Sequence, residues 1–117
     1  MNSYLAVAIG GAIGATLRFA ISEWVGTPQS TLLVNALGSL MLGVCMAALA
    51  NELISKELTL FIGTGILGAF TTMSTFSVET IELWNDDQTK AAGYVLITMI
   101  LCPLLALAGW RTFESIA

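Results

Sequence analysis

The sequence predicts an all-α integral membrane protein with four transmembrane helices. Three observations carry that prediction. Hydrophobic residues fill 56% of the 117 positions and charged residues only 10%, whereas a soluble domain carries about 25% charged residues. The apolar stretches are long. Met1–Leu17 precedes a lone Arg18, and Trp24–Asn51, Leu58–Val78 and Ala91–Trp110 hold no charge at all. A hydrocarbon core of ~30 Å takes roughly 20 helical residues, so each stretch can span it. Finally, Tyr4, Trp24, Trp84 and Trp110 fall at the predicted helix ends, where interfacial aromatic rings collect.

The length allows one domain over residues 1–117. The first helix is expected over Tyr4–Trp24. It is read as a retained helix rather than a signal peptide, because Met1-Asn2-Ser3 lacks Lys and Arg and no cleavage site stands out. The second is expected over Thr31–Asn51, the third over Leu58–Trp84 and the fourth over Lys90–Trp110, joined by short polar connections. Cys45 and Cys102 fall mid-helix and read as small hydrophobes, with no disulfide and no metal. The net charge of −4 is spread over loops and helix ends, which argues against nucleic acid as a partner.

Orientation has no clear instruction. Lys56 and Arg111 lie on one side, Lys90 and Arg18 toward the other, and it is Lys/Arg asymmetry that normally sets topology. Insertion both ways is therefore expected, and an antiparallel homodimer becomes available.

Small and polar residues supply the candidate chemistry. Gly10 and Gly14 form a GxxxG pair suited to close helix packing. Thr31, Asn35, Ser39 and Gly43 recur every four residues on one face of the second helix. That stripe suits interhelical hydrogen bonding and, equally, a row of donors along a permeation path. Arg18 suits snorkelling to the headgroups or a fixed positive charge at a vestibule mouth. Glu79 and Glu82 occupy the last turns of the third helix, where snorkelling again accounts for them. No carboxylate is expected deep in a helix. Pro103 removes one backbone donor from the fourth helix, and Tyr94 and Thr98 share a face there.

The most informative segment is Gly68–Ser77, GAFTTMSTFS. Thr71, Thr72, Ser74, Thr75 and Ser77 place five hydroxyls in seven residues of an apolar stretch, after Gly63, Gly65 and Gly68. Polar or non-helical backbone at bilayer depth is tolerated only inside protein or beside a wet cavity, so the third helix is expected to be broken near the midplane. Exposed carbonyls at such a break suit hard cations, and N–H groups suit anions. Phe76 adds a ring edge with positive quadrupole charge. With Asn35 and the hydroxyls, the set offers many weak contacts for an anion and no strong trap, as conduction requires.

These residues resemble the CrcB/Fluc-type fluoride channels over essentially the whole chain. The marks are Gly10-Gly11-x-x-Gly14-x-x-x-Arg18, then Thr31-x-x-Val34-Asn35. The most specific is Gly65-x-x-Gly68-x-x-Thr71-Thr72-x-Ser74-Thr75-Phe76-Ser77-x-Glu79. The resemblance implies an antiparallel dual-topology dimer in the cell inner membrane, with two pores that export fluoride passively. It implies that Phe76 turns its ring edge to fluoride and Asn35 donates its amide. Thr31, Ser74, Thr75 and Tyr94 would add polar contacts, and Arg18 would sit in a water-filled vestibule. The carbonyls of Gly68 and Thr71 would hold a structural Na⁺ on the dimer axis. Met73 departs from the family, which has Phe at both aromatic positions of this motif. Cys102 stands where a Ser is common and is not placed in the pore.

Two other classes compete. A small multidrug-resistance-type proton-coupled exporter shares the four-helix, dual-topology form but needs an acid deep in the first helix, and Glu23 lies only at that helix's end. A non-transporting assembly subunit would use the polar residues for packing alone.

Overall fold

Helix α1 (Ser3–Val25) begins where the Asn2 carboxamide oxygen accepts from the Tyr4 and Leu5 backbone N–H groups, at 2.8 and 3.3 Å. This computed structural model describes residues 2–117. Gly26 ends α1 at φ +82°, in the left-handed region that glycine enters without strain. Helix α2 (Gln29–Ala50) follows, starting two residues before the expected Thr31.

The third span is not a uniform helix. Segment α3 covers residues 56–70: a short α-helical start at Lys56–Thr59, capped by the Ser55 hydroxyl, a π-helical run over Leu60–Leu67 and an α turn at Gly68–Phe70. Thr71 and Thr72 are extended, and helix α4 (Met73–Asp86) continues the span. Helix α5 (Gln88–Ile116), capped by Asp87, passes through Pro103 and runs six residues beyond the expected end at Trp110. Apolar windows mark where a helix crosses lipid, and the polar turn Arg111–Ser115 extends this one past the crossing.

Among the described residues every regular element is helical, with no strand. Four helices, counting the third span as one, are long and apolar enough to cross a membrane. The chain is a multi-pass membrane protein.

Helix α1 packs on the π-helical run, and α2 packs on α5. The first contact is glycine on glycine: a Cβ at Gly65 would lie 2.9 Å from the Gly10 Cα, and one at Gly14 would run into the Ile66 carbonyl oxygen. With little apolar drive between helices in lipid, such close backbone approach is what holds them. Large apolar side chains such as Leu37, Met41, Ile97 and Ile100 face outward, as a lipid surface requires.

Candidate functional site

The third span is interrupted at Thr71 and Thr72 because its hydrogen bonds are diverted. At Thr71 the N–H and the hydroxyl both bond to the Leu67 carbonyl, each at 3.1 Å. The backbone then extends, with φ/ψ of −87°/157° at Thr71 and −153°/120° at Thr72. The Thr72 N–H does not continue the ladder to Gly68. It donates to the Asn35 side-chain oxygen at 2.7 Å, and the Thr72 carbonyl accepts from the same amide at 3.1 Å. Asn35, from the first half of α2, thus satisfies both peptide groups of a residue that has left the helix. One turn along, Gly38 lets α2 come this close, since a Cβ there would run into the Thr71 methyl group.

Both helix ends at the break are capped. Arg18 Nε donates to the Ala69 carbonyl at 3.1 Å, placing positive charge at the C-terminal end of α3 where the helix dipole favours it. The Thr72 hydroxyl accepts from the Thr75 N–H at 3.2 Å as the N-cap of α4, and bonds to the Thr75 and Ser74 hydroxyls at 3.1 and 3.3 Å. The carbonyls of Gly68 and Thr71 consequently lack their helical partners. The N–H four residues beyond each goes to Asn35 in one case and to the Thr72 hydroxyl in the other.

One turn further along α4 lies a carboxylate that the sequence reading places at the headgroups. Glu79 is instead buried, at 6% exposure. Its two oxygens accept from the Thr31 hydroxyl at 2.9 Å and the Tyr94 hydroxyl at 2.8 Å. The Tyr94 ring leans on Phe76, with centroids 5.0 Å apart and planes at 56°. The expectation that Glu79 snorkels to the headgroups is therefore wrong, because its carboxylate is turned into the bundle. Phe76 and Glu79 are three residues apart and share the inward face of α4, the signal that could have found Glu79.

Three cavities adjoin the break. A groove of about 290 Å³ is lined by Asn35, Thr71, Thr72, Met73 and Phe76, facing Thr98, Met99, Cys102 and Pro103 of α5. A pocket of about 120 Å³ collects Arg18, Ser30, Thr31, Thr72 and Thr75. A third, of about 420 Å³, holds Ser74, Thr75, Glu79 and Glu82. Thr72 borders the first two and Thr75 the last two.

The structure thus gathers Asn35, Met73 and Phe76 on one cavity and Arg18, Thr31 and Thr75 on the next. Gly68 is exposed, as are Met73 and Ser74 on the other side of the break. Tyr94 is buried against Phe76, its hydroxyl turned to Glu79. Cys102, set aside in the sequence reading, lines the groove. It shares a face with Tyr94 and Thr98 at four-residue spacing, a stripe visible in the sequence.

The sequence matches the family described as "CrcB-like protein, Camphor Resistance (CrcB)" over residues 5–110. It is 42% identical to a "Fluoride-specific ion channel FluC" of Thermus thermophilus, over 95% of this chain and 93% of the relative. Identity to a protein of the same name from Shewanella sp. (strain ANA-3) is 45%, over 98% of both chains. A "Fluoride-specific ion channel FluC 2" of Bacillus subtilis is 43% identical over 93% of this chain and 86% of the relative. The match over nearly the full bundle, including the segment that Asn35 holds open, shows that the chain belongs to the CrcB family.

Proposed function

We propose that the chain is a fluoride-selective channel subunit of the cell inner membrane that exports fluoride passively and lowers its toxicity. The observation that carries the proposal is the run of three cavities sharing Thr72 and Thr75 beside an interrupted helix. Their lining offers an amide, hydroxyls and the Phe76 ring to a passing anion. The amide, hydroxyls and ring are neutral partners that attract an anion without trapping it; Arg18 also borders the second cavity, and Glu79 and Glu82 the third. Fluoride crosses membranes inward as its neutral acid, ionises in the cytoplasm and must leave as the anion. A passive path suffices for that, with neither ATP nor proton coupling.

The working unit is an antiparallel dual-topology homodimer with two pores. Balanced Lys and Arg on the two sides support it. So does the exposure of Gly68, Met73 and Ser74 at the break, where a second copy can complete the path. The break also fits a structural Na⁺. Gly68 and Thr71 carbonyls released from helical bonding are hard oxygen donors of the kind such a cation takes. Each subunit would present both oxygens, and the bound cation would hold the two breaks together.

Potassium fluoride efflux from liposomes containing the purified protein, started by valinomycin, tests the proposal. Efflux with fluoride and none with chloride supports it. No fluoride efflux from correctly folded dimers would falsify it. The buried Glu79 favours one second reading, a small multidrug-resistance-type exporter. That reading requires drug uptake that a protonophore abolishes.

A further inference from the structure

We infer that the groove beside the break also binds one soft monovalent cation of the Cu(I) class, through the sulfur atoms of Cys102, Met73 and Met99. These side chains reach the groove from two helices. Met99 and Cys102, three apart, share a face of α5, and Met73 opens α4 on the other side. Thiolate and thioether are the ligands that select Cu(I), whereas carbonyl and carboxylate oxygens select hard cations. No Asp or Glu is among the groove's lining residues. Met73 is 62% exposed, and its unbranched side chain can swing onto an ion.

A second observation points to the same place. Thr98 lines the groove one turn before Cys102, is 4% exposed, and its hydroxyl has no hydrogen-bond partner among the described residues. A buried hydroxyl without a partner is uncommon, and water held on an ion in the groove would supply one. The volume of about 290 Å³ leaves room for an ion with several waters, a water taking about 30 Å³. Binding forms a metal–sulfur bond as the Cys102 thiol proton passes to water, and the metal keeps its charge. Cys45, the other cysteine, is buried with its sulfur facing Gly63, away from this groove. An ion held here lies beside Asn35 and Phe76 and obstructs fluoride; that consequence rests on the fluoride-channel reading.

Silver(I), a stable mimic of Cu(I), is the probe. Full-length protein carrying Cys45→Ala is purified and titrated with silver nitrate in chloride-free buffer. Bound silver per chain and maleimide labelling of Cys102 are then read. One silver per chain, with Cys102 protected from maleimide, is expected. Cys102→Ser should abolish this binding. Met73→Leu combined with Met99→Leu should weaken it at least about tenfold, as losing ligand support does at metal sites, with the thiol still open to maleimide. Unchanged affinity in that double variant overturns the site, because a solitary thiol then accounts for the binding. In liposomes, silver should stop fluoride efflux by the Cys45→Ala protein. Full efflux with silver bound upholds the metal site and overturns the groove as the fluoride path. Fluoride efflux by protein that binds no silver overturns the site and leaves the channel reading intact.

Discussion

Asn35 grips Thr72 by both of its peptide groups. The Asn35 side-chain oxygen takes the Thr72 N–H at 2.7 Å while its nitrogen gives to the Thr72 carbonyl at 3.1 Å. The backbone N–H fixes which end of the amide is oxygen. Two segments 37 residues apart in sequence are joined this way, and a residue that would otherwise carry orphan polar groups inside a membrane protein is satisfied. Asn35 is therefore both a candidate fluoride donor and the residue that keeps the third span open. Only one of its two N–H bonds is needed for the second task.

That double role separates two substitutions. Asn35→Leu removes both bonds and leaves Thr72 with an unpaired donor and acceptor, each costing about 1–3 kcal/mol when buried. Asn35→Asp keeps the acceptor for the Thr72 N–H, loses the donor and adds negative charge. Thermal denaturation of the purified protein should show the larger loss of stability in Asn35→Leu. Liposome flux should fall steeply in both, the Asp variant through anion repulsion. Fluoride flux preserved in Asn35→Asp would sink a direct role for the amide in the path.

Glu79, Thr31 and Tyr94 form one buried unit, so their substitutions should not add. Tyr94→Phe keeps the ring contact with Phe76 but takes one of the two hydroxyl donors from the carboxylate. Hydrogen bonds to charged groups contribute about 1.5–3 kcal/mol, and a loss of that order is expected. Glu79→Gln should then destabilise Tyr94→Phe less than it destabilises the parent, with a coupling of about 0.5–3 kcal/mol in a double-mutant cycle. Additive effects would show that the Tyr94–Glu79 bond contributes nothing to stability.

The four spans were readable because lipid leaves no alternative to long apolar helices. The glycine face of α1 was readable for a similar reason, since only packing explains Gly10 and Gly14 on one side. The run Gly68–Ser77 stood out by its hydroxyls, but the residues at which the backbone extends did not. Thr71 and Thr72 are selected by Asn35 and Gly38 of a distant segment, and pairing across that separation leaves no local pattern. Glu79 was misread because a carboxylate in the last turns of a span ordinarily reaches water. Here the Thr31 and Tyr94 hydroxyls, on two other helices, draw it inward.

Close packing of α1 gives a sharp contrast between neighbouring glycines. A Cβ at Gly14 meets the Ile66 carbonyl oxygen, which belongs to backbone and cannot swing aside, whereas a Cβ at Gly11 has nothing within 4 Å. Gly14→Ala should destabilise by about 1–3 kcal/mol, the usual range for overpacking. Gly11→Ala should be neutral or stabilising by up to about 1 kcal/mol, the propensity difference between glycine and alanine in a helix. Melting temperature checks both. Equal effects would mean that the α1 contact with the π-helical run is looser than its geometry indicates.

Met73 and Phe76 sit three apart on α4 and line the same groove, yet their surroundings differ. Phe76 is 5% exposed and packs on Tyr94, while Met73 is 62% exposed. Phe76→Met should lose the tilted ring contact, about 0.5–1.5 kcal/mol, together with the ring edge available to fluoride. Met73→Phe should leave the stability of the single chain almost unchanged, because the new ring displaces no packed neighbour within it, while adding an edge with positive quadrupole charge to the groove. Fluoride efflux is therefore expected to fall in Phe76→Met and to rise in Met73→Phe. The double exchange tells whether the position or the number of rings matters. Recovery of parental flux would mean that one ring suffices at either position, and flux as low as in Phe76→Met would tie the role to Phe76 against Tyr94. If neither single variant changes flux, aromatic edges have no part in the path and the amide and hydroxyls must carry the anion alone.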